Sequence, residues 1–195
     1  GKIIFINDQP IDASSPGKSV ASGIGMVPED RKKEGGILDQ SIQYNISLTN
    51  LRQINRGAGF IDRLRENEKV QALVSQLKIK CASPAARVDS LSGGNQQKVV
   101  LAKWINSGAD ILLIDEPTRG VDVGARAQIY DILFELANNG KTLVVVSSDL
   151  EELMTICDRI LVMKKGRITG EVQRKDFSEE RLLRLAIEEP AATAS

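Results

Sequence analysis

The fold of this chain is decided by one stretch, residues 91–98, which reads Leu-Ser-Gly-Gly-Asn-Gln-Gln-Lys. Ser92 is a favourable N-cap residue, and Gly93 and Gly94 leave the front of the following helix free of side chains. Apolar residues recur at helical spacing over residues 99–105, so we predict a helix that begins just after Ser92. The first backbone N–H groups of such a helix carry a partial positive charge and suit a phosphate group.

A second stretch, residues 111–118, reads Ile-Leu-Leu-Ile-Asp-Glu-Pro-Thr. Its four aliphatic residues predict a strand that is buried on both faces, as in a parallel sheet. Ligands of open α/β sheets bind at the carboxyl ends of the strands, where this strand delivers Asp115 and Glu116. Both carboxylates are therefore candidate site residues.

The length and the charge balance narrow the class of protein. The chain has 195 residues, enough for one domain with a hydrophobic core, and it carries 26 basic and 26 acidic residues. This balance gives no reason to expect a nucleic-acid partner. The sequence contains no apolar run long enough to cross a bilayer, so we expect a soluble chain whose membrane contact comes through a partner.

Histidine is absent from the sequence, which excludes Ser-His-Asp catalysis and His-ligated metals. Cys81 and Cys157 lie far apart and do not have the spacing of metal ligands, so we interpret them as buried, reduced thiols. Any chemistry must therefore depend on carboxylates, hydroxyls, backbone amides or a bound cofactor.

Strands and helices alternate from residue 110 onward, which predicts a parallel sheet covered by helices. Residues 159–163 and 167–172 read as a hairpin. The remaining predictions are strands at 2–6, 24–27 and 142–146, a short helix after Ser15, a charged loop at 28–36, a loop at 51–60, helices at 62–80, 125–136 and 150–157, and a last helix at 178–187.

Residues 15–19, Ser-Pro-Gly-Lys-Ser, invite comparison with a phosphate-binding loop. These residues do not match that motif, because Asp12 stands in place of its first glycine and because no buried strand precedes them. We therefore interpret Lys18 as a solvated surface residue, and we find no phosphate loop elsewhere in the sequence.

Together, residues 91–98 and 111–118 resemble the signature loop and the Walker B strand of ATP-binding cassette (ABC) ATPases. The resemblance implies an α/β fold, the P-loop NTPase-like ABC nucleotide-binding domain, with a mostly parallel sheet, helices, a helical subdomain and a small antiparallel β part. It implies a partial domain that lacks its N-terminal Walker A strand, loop and helix. The expected parts are residues 1–187 overall, with the helical subdomain at about 30–90, the core at 91–172, the last helix at 173–187 and a disordered tail at 188–195.

The same resemblance assigns roles to individual residues. Asp115 would hold Mg²⁺, and Glu116 would act as the catalytic base toward the attacking water. In this family two cassettes face each other, so the signature of one binds the γ-phosphate of a nucleotide held by the other. The signature residues are Ser92, Gly93, Gly94 and Gln96, and Asp122 lies where the family has its D-loop.

Two positions depart from the family pattern. Glu29 replaces the Q-loop glutamine, and as a carboxylate it is expected to hold the metal but to repel phosphate. Ser148 occupies the position of the catalytic switch histidine and carries no positive charge to stabilise the transition state. Because the phosphate loop is also absent, the isolated chain is expected to be inactive.

Residues 27–32, 117–125 and 147–148 narrow the resemblance to the second, C-terminal cassette of the ATP-binding subunits of bacterial monosaccharide importers. Ribose, arabinose, galactose and autoinducer-2 transporters form that group. ATP and Mg²⁺ are the implied cofactors, and the location is the cytoplasmic face of the bacterial inner membrane. The implied partners are the other cassette or a second copy, a transmembrane permease and, indirectly, a periplasmic sugar-binding protein, with no nucleic acid.

Two alternatives stay open. The chain could be a non-catalytic regulatory cassette that completes another domain's site, or a non-transport ABC ATPase of DNA repair or translation. The neutral charge balance and the Val-Pro-Glu-Asp-Arg loop at residues 27–31 favour the sugar-importer group over the last of these.

Overall fold

The computed structural model describes residues 4–55 and 60–187. The chain forms two compact units, of which the first ends at Val146 and the second begins at Ser147. The predicted tail at 188–195, residues 2–3 of the predicted first strand, and residues 56–59 of the predicted loop lie outside the described residues.

A parallel sheet of three strands organises the first unit. Its strands are β3 (Ile24–Val27), β4 (Ile111–Asp115) and β5 (Thr142–Val146), in the spatial order β3-β4-β5. Val27 pairs with Ile114, and Asp115 pairs with Val146. The predicted parallel sheet is therefore confirmed, and the carboxyl ends of β3 and β4 lie at one edge.

One prediction about β4 is wrong. Leu112 and Ile114 are 1% exposed, as expected, but Leu113 is 38% exposed. Its neighbours in register, Met26 and Val144, are 49% and 47% exposed. Side chains of a strand alternate between faces, and a run of four aliphatic residues does not show whether one face or both are covered.

Helix α4 (Gly93–Ser107) packs against the sheet through Trp104. The approach is close because β3 carries Gly25, where a Cβ atom would lie 2.9 Å from a ring carbon of Trp104. Helix α5 (Val123–Asn138), predicted at 125–136, lies against β5 and α4 and buries its apolar residues 129, 132, 133 and 136. The signature segment, residues 91–98, therefore leads into the core of this unit.

One predicted boundary and two predicted loops differ from the structure. Helix α3 (Arg63–Gln76) ends before residue 80, because Lys78 takes a left-handed conformation with φ of +50°. The predicted charged loop at 28–36 contains one π-helical turn, Arg31–Gly35, whose N-cap Asp30 accepts from the backbone N–H of two of its residues. Within the predicted loop at 51–60, Leu51–Ile54 forms a 3₁₀ turn.

Two short strands and two short helices also belong to the first unit. Strands β1 (Ile4–Ile6) and β2 (Gln9–Ile11) form an antiparallel hairpin, and α1 (Pro16–Ala21) begins at the predicted N-cap Ser15. The side chain of Lys18 is exposed and lies 2.6 Å from Asp12, as expected for a surface lysine. Helix α2 (Ile42–Ser47) packs against α4 and α3.

The second unit consists of α6 (Leu150–Ile156), β6 (Arg159–Lys164), β7 (Arg167–Gln173) and α7 (Glu179–Ile187). The predicted hairpin is confirmed, and its core is formed by Ile160, Val172 and Leu182. Cys157 packs at the side of this core, where burial raises the pKa of its thiol. Both cysteines are free but only half-buried, contrary to the prediction of full burial.

In the described part of the chain, no helix combines the length and apolarity that spanning a membrane requires.

Candidate functional site

Ser92 stands at the N-cap of α4, as predicted, and its side chain is exposed. Its hydroxyl accepts no hydrogen bond from the first N–H groups of the helix; Ser92 Oγ accepts one of 2.9 Å from the side-chain amide of Asn95. The predicted N-cap position and helix start are therefore confirmed, with the hydroxyl of Ser92 left outside the capping hydrogen bonds. The first backbone N–H groups of an α-helix lack partners within the helix, so this front end presents donors beside an exposed hydroxyl.

Gly94 is required by packing within the first unit. It is buried, and a Cβ atom at this position would lie 2.5 Å from Cβ of Ala125 and 3.4 Å from Cγ1 of Val121. The start of α4 thus lies directly against the start of α5, because Gly94 carries only a hydrogen atom in place of a side chain. Gly94 is consequently a residue at which α4 and α5 contact each other, with or without a ligand nearby.

Gly93 meets a different neighbour. A Cβ atom here would lie 2.7 Å from Nη2 of Arg31 and 3.0 Å from the carbonyl oxygen of Gly120. The side chain of Arg31 therefore lies directly against the start of α4. Sequence reasoning missed Arg31, because it lies in a charged segment of the kind that is usually just solvated.

The side chain of Gln96 is hydrogen-bonded within its own unit. Its side chain is 6% exposed, and its amide nitrogen donates to the backbone carbonyl oxygens of Val88 and Leu91, at 3.4 and 3.1 Å. The contact of Gln96 with a nucleotide on another cassette stays a prediction. The structure gives Gln96 the role of holding the loop that precedes α4.

Two buried lysines anchor α4, and neither was predicted. Lys98 Nζ donates to the carbonyl oxygen of Lys78 at 3.0 Å and to Oε1 of Gln128 at 2.8 Å. Lys103 Nζ donates to the carbonyl oxygen of Gly35. Burial lowers the pKa of both ammonium groups. The only sequence signal was Lys103, which interrupts the apolar run at residues 99–105, whereas Lys98 follows two glutamines.

Asp115 and Glu116 lie where predicted, at the carboxyl end of β4, and both are half-buried. Glu116 takes a left-handed conformation with φ of +47°, and its N–H donates to the carbonyl oxygen of Val146 at 2.8 Å. For a residue other than glycine this conformation costs on the order of 1–3 kcal/mol, and such strain is concentrated at functional sites. The backbone therefore turns sharply at the predicted catalytic base.

Glu29 follows β3 at the same edge of the sheet, as predicted. Its carboxylate forms an ion pair with the guanidinium of Arg119. In this conformation an arginine neutralises the predicted metal ligand.

Asp122 is exposed and serves as the N-cap of α5, where Oδ1 accepts from the N–H of Ala125 at 2.9 Å. Its predicted role in the D-loop is compatible with this position at the start of a helix. Ser148 is exposed and lies in the second unit, next to Asp149, which caps α6.

Within the described ranges, 4–55 and 60–187, no group of three or more acidic or thiol side chains is arranged to hold a metal ion. Mg²⁺ differs from other metals in this respect, because it keeps several waters and uses one or two carboxylates together with phosphate oxygens. The half-buried carboxylates of Asp115 and Glu116 are hard oxygen donors of this kind. The residues present therefore fit Mg²⁺ bound together with a nucleotide.

The chain is similar to known proteins in sequence and in fold. A family model described as ABC transporter matches residues 1–119. A ribose import ATP-binding protein RbsA from Streptococcus agalactiae serotype Ia is 48% identical over 94% of this chain and 37% of its own length. Ribose import ATP-binding protein RbsA 3 from Rhizobium meliloti is 45% identical over 94% of this chain and 36% of its own length. The chain thus spans little more than a third of these relatives.

Solved structures with the same fold are ATP-binding cassettes. A dimeric cassette in a post-hydrolysis state, bound to ADP and Pi, superposes with a TM-score of 0.72 at 22% identity and covers 90% of this chain and 74% of that one. A nucleotide-free cassette from an ABC transporter superposes with a TM-score of 0.70 at 18% identity, over 95% of this chain and 76% of that one. At sequence identities this low, the similarity shows that the fold is shared.

The contact between Gly94 and Ala125 predicts the effect of one added methyl group. Gly94→Ala should lower the free energy of unfolding in urea by about 1–3 kcal/mol, because overpacking displaces α4 from α5. Gly17→Ala is the matched control, because no atom lies within 4 Å of a Cβ atom at that helical position. If Gly94→Ala were as stable as Gly17→Ala, the close contact between the two helices would be contradicted.

Proposed function

The chain belongs to the ABC transporter family, and from this premise we propose that it forms part of an ATPase that drives the import of a sugar. It binds and hydrolyses ATP within the complete protein, and it supplies its signature segment to the nucleotide site of the partner cassette. The chain spans little more than a third of the length of its relatives, so this activity is assigned to the complete protein.

The exposed front of α4 is the observation that supports this function most directly. Ser92 is exposed at the N-cap, and no side chain extends from Gly93 or Gly94. A phosphate group that approaches from outside meets a hydroxyl, backbone N–H groups and the positive end of a 15-residue helix. In the proposed function this phosphate is the γ-phosphate of a nucleotide on the partner cassette.

The carboxylates at the end of β4 divide the chemistry between them. Asp115 holds Mg²⁺, whose charge offsets that of the phosphate oxygens. Glu116 orients the attacking water and accepts its proton. The hydrogen bond from the Glu116 N–H to Val146 fixes the backbone of this residue relative to the sheet, which favours a fixed position for the base.

The names of the relatives support the substrate class and the partners. The two relatives described above are named ribose import ATP-binding proteins, and import requires a permease that crosses the membrane. We therefore place the protein at the cytoplasmic face of the membrane, bound to a permease and paired with another cassette. A periplasmic sugar-binding protein would deliver the substrate to that assembly.

The ion pair between Glu29 and Arg119 favours a second candidate function. With that carboxylate paired, this cassette's own site has fewer groups available for metal binding. The chain would then be a regulatory cassette that completes the partner's site and hydrolyses nothing itself.

Blocking the front of α4 tests the function shared by both candidates. In the complete protein, Ser92→Arg should reduce ATP hydrolysis by about a hundredfold or more, because a bulky side chain excludes the γ-phosphate from its donors. Steady-state phosphate release measures the effect. Ser83→Arg is the control, since it adds the same side chain at an exposed position. Turnover of the Ser92→Arg variant equal to that of the control would contradict the assignment.

Removing the base separates the two candidates. If this cassette hydrolyses ATP, Glu116→Gln in the complete protein should lower turnover to about half or less, because the amide does not accept the proton of water. Glu135→Gln makes the same change at an exposed position of α5 and should have no effect. Full turnover of the Glu116→Gln variant would show that the regulatory function is the correct one.

A further inference from the structure

We propose that Arg31 is a positioning residue that holds the turn at residues 119–120 against the front of α4. By doing so it sets the position of the signature segment. The consequence for catalysis depends on the proposed function, whereas the contact itself does not.

The guanidinium of Arg31 forms a forked contact across the first unit. Nη1 donates to the carbonyl oxygen of Arg119 at 2.7 Å, and Nη2 donates to that of Gly120 at 3.0 Å. The residues lie 88 and 89 positions apart in sequence. These bonds join the π-helical turn that follows β3 to the turn that follows β4.

The same guanidinium touches the signature segment. A Cβ atom at Gly93 would lie 2.7 Å from Nη2 of Arg31, and a Cβ atom at Gly120 would lie 3.5 Å from it. The guanidinium therefore fills the space between the start of α4 and the turn. If it were withdrawn, both backbones would be free to move into that space.

Arg119 provides a second link between the same two segments, since its side chain forms an ion pair with Glu29. That ion pair is exposed, with side chains 64% and 43% accessible, and exposed pairs contribute little to stability. Arg31 is half-buried, and its Nε is buried without a hydrogen-bond partner among the described residues. We therefore assign the positioning role to Arg31 and treat the Glu29–Arg119 pair as support.

An arginine suits this place better than a lysine. The two carbonyl oxygens are met by two different nitrogens, Nη1 and Nη2, and only the planar guanidinium offers two donors in a fixed fork. A lysine would keep the charge but meet one oxygen at a time. The variant Arg31→Lys consequently tests whether both hydrogen bonds are needed, because it keeps the charge and loses the fork.

The turn that contains Arg31 is itself fixed to the rest of the unit. Lys103 Nζ donates to the carbonyl oxygen of Gly35 at the end of this turn. The side chain of Asn45 in α2 accepts from the N–H of Ile37 at 2.7 Å and donates to its carbonyl oxygen at 2.9 Å. Arg31 therefore extends from an anchored segment, and a shift of that segment would be transmitted to the signature.

The contact is tested first by hydrogen exchange on the complete protein. In Arg31→Gln, peptides covering residues 91–98 and 117–124 should exchange about tenfold faster, because two charge-assisted hydrogen bonds are lost. Arg31→Lys should fall between this variant and the wild type. Lys32→Gln removes the same charge from an exposed neighbour and should leave exchange unchanged. Exchange rates in Arg31→Gln equal to those of the wild type would overturn the proposal. If Arg31→Gln does not fold, exchange rates in Arg31→Lys equal to those of the wild type would overturn it.

The consequence for catalysis is tested by ATPase kinetics on the same variants. The KM for ATP should rise by at least about threefold in Arg31→Gln while kcat changes less, because a displaced signature weakens binding of the partner's nucleotide. A merely structural role would lower the folded fraction and leave KM unchanged. An active wild type with equal KM values for Arg31→Gln and Lys32→Gln would overturn the positioning role in catalysis. An inactive wild type would instead contradict the proposed function, and hydrogen exchange would still decide the role of Arg31.

Discussion

The structure depends on the close approach that two adjacent glycines allow. At Gly93 and Gly94 a side chain would collide with Arg31 and Ala125 at 2.7 and 2.5 Å. Because these positions carry only hydrogen, the front of α4 lies against the turn after β4 and against α5. The glycines of the signature segment therefore have a structural purpose that is independent of any nucleotide, and the same absence of side chains leaves backbone N–H groups accessible.

The parallel register of the sheet supplies the frame for this contact. Because Val27 lies beside Ile114, the segments that follow β3 and β4 leave the sheet at one edge and meet each other. Arg31 links these segments, and the buried Lys103 ties the first of them to α4. The candidate site is thus a surface on which three separate pieces of chain are held by long-range polar contacts within a small core.

The sequence predicted the parts that depend on local pattern, such as the start of α4 after Ser92 and the parallel sheet. The linking residues were not predictable, because Arg31 meets its acceptors across 88 positions and no periodicity reports such a contact. The exposure of Leu113 was missed since an aliphatic run does not show what covers it. Lys103 reads as an interruption of an apolar stripe, although its ammonium group is hydrogen-bonded in the interior.

We expect the front of α4 to bind the phosphate of a nucleotide held by another cassette. A structure of the complete protein with a non-hydrolysable MgATP analogue tests it most directly. The γ-phosphate should lie within about 3.5 Å of Ser92 Oγ or of the backbone N–H groups at the start of α4. A fully occupied partner site whose γ-phosphate lies beyond about 10 Å from Ser92, well outside hydrogen-bond distance, would contradict it.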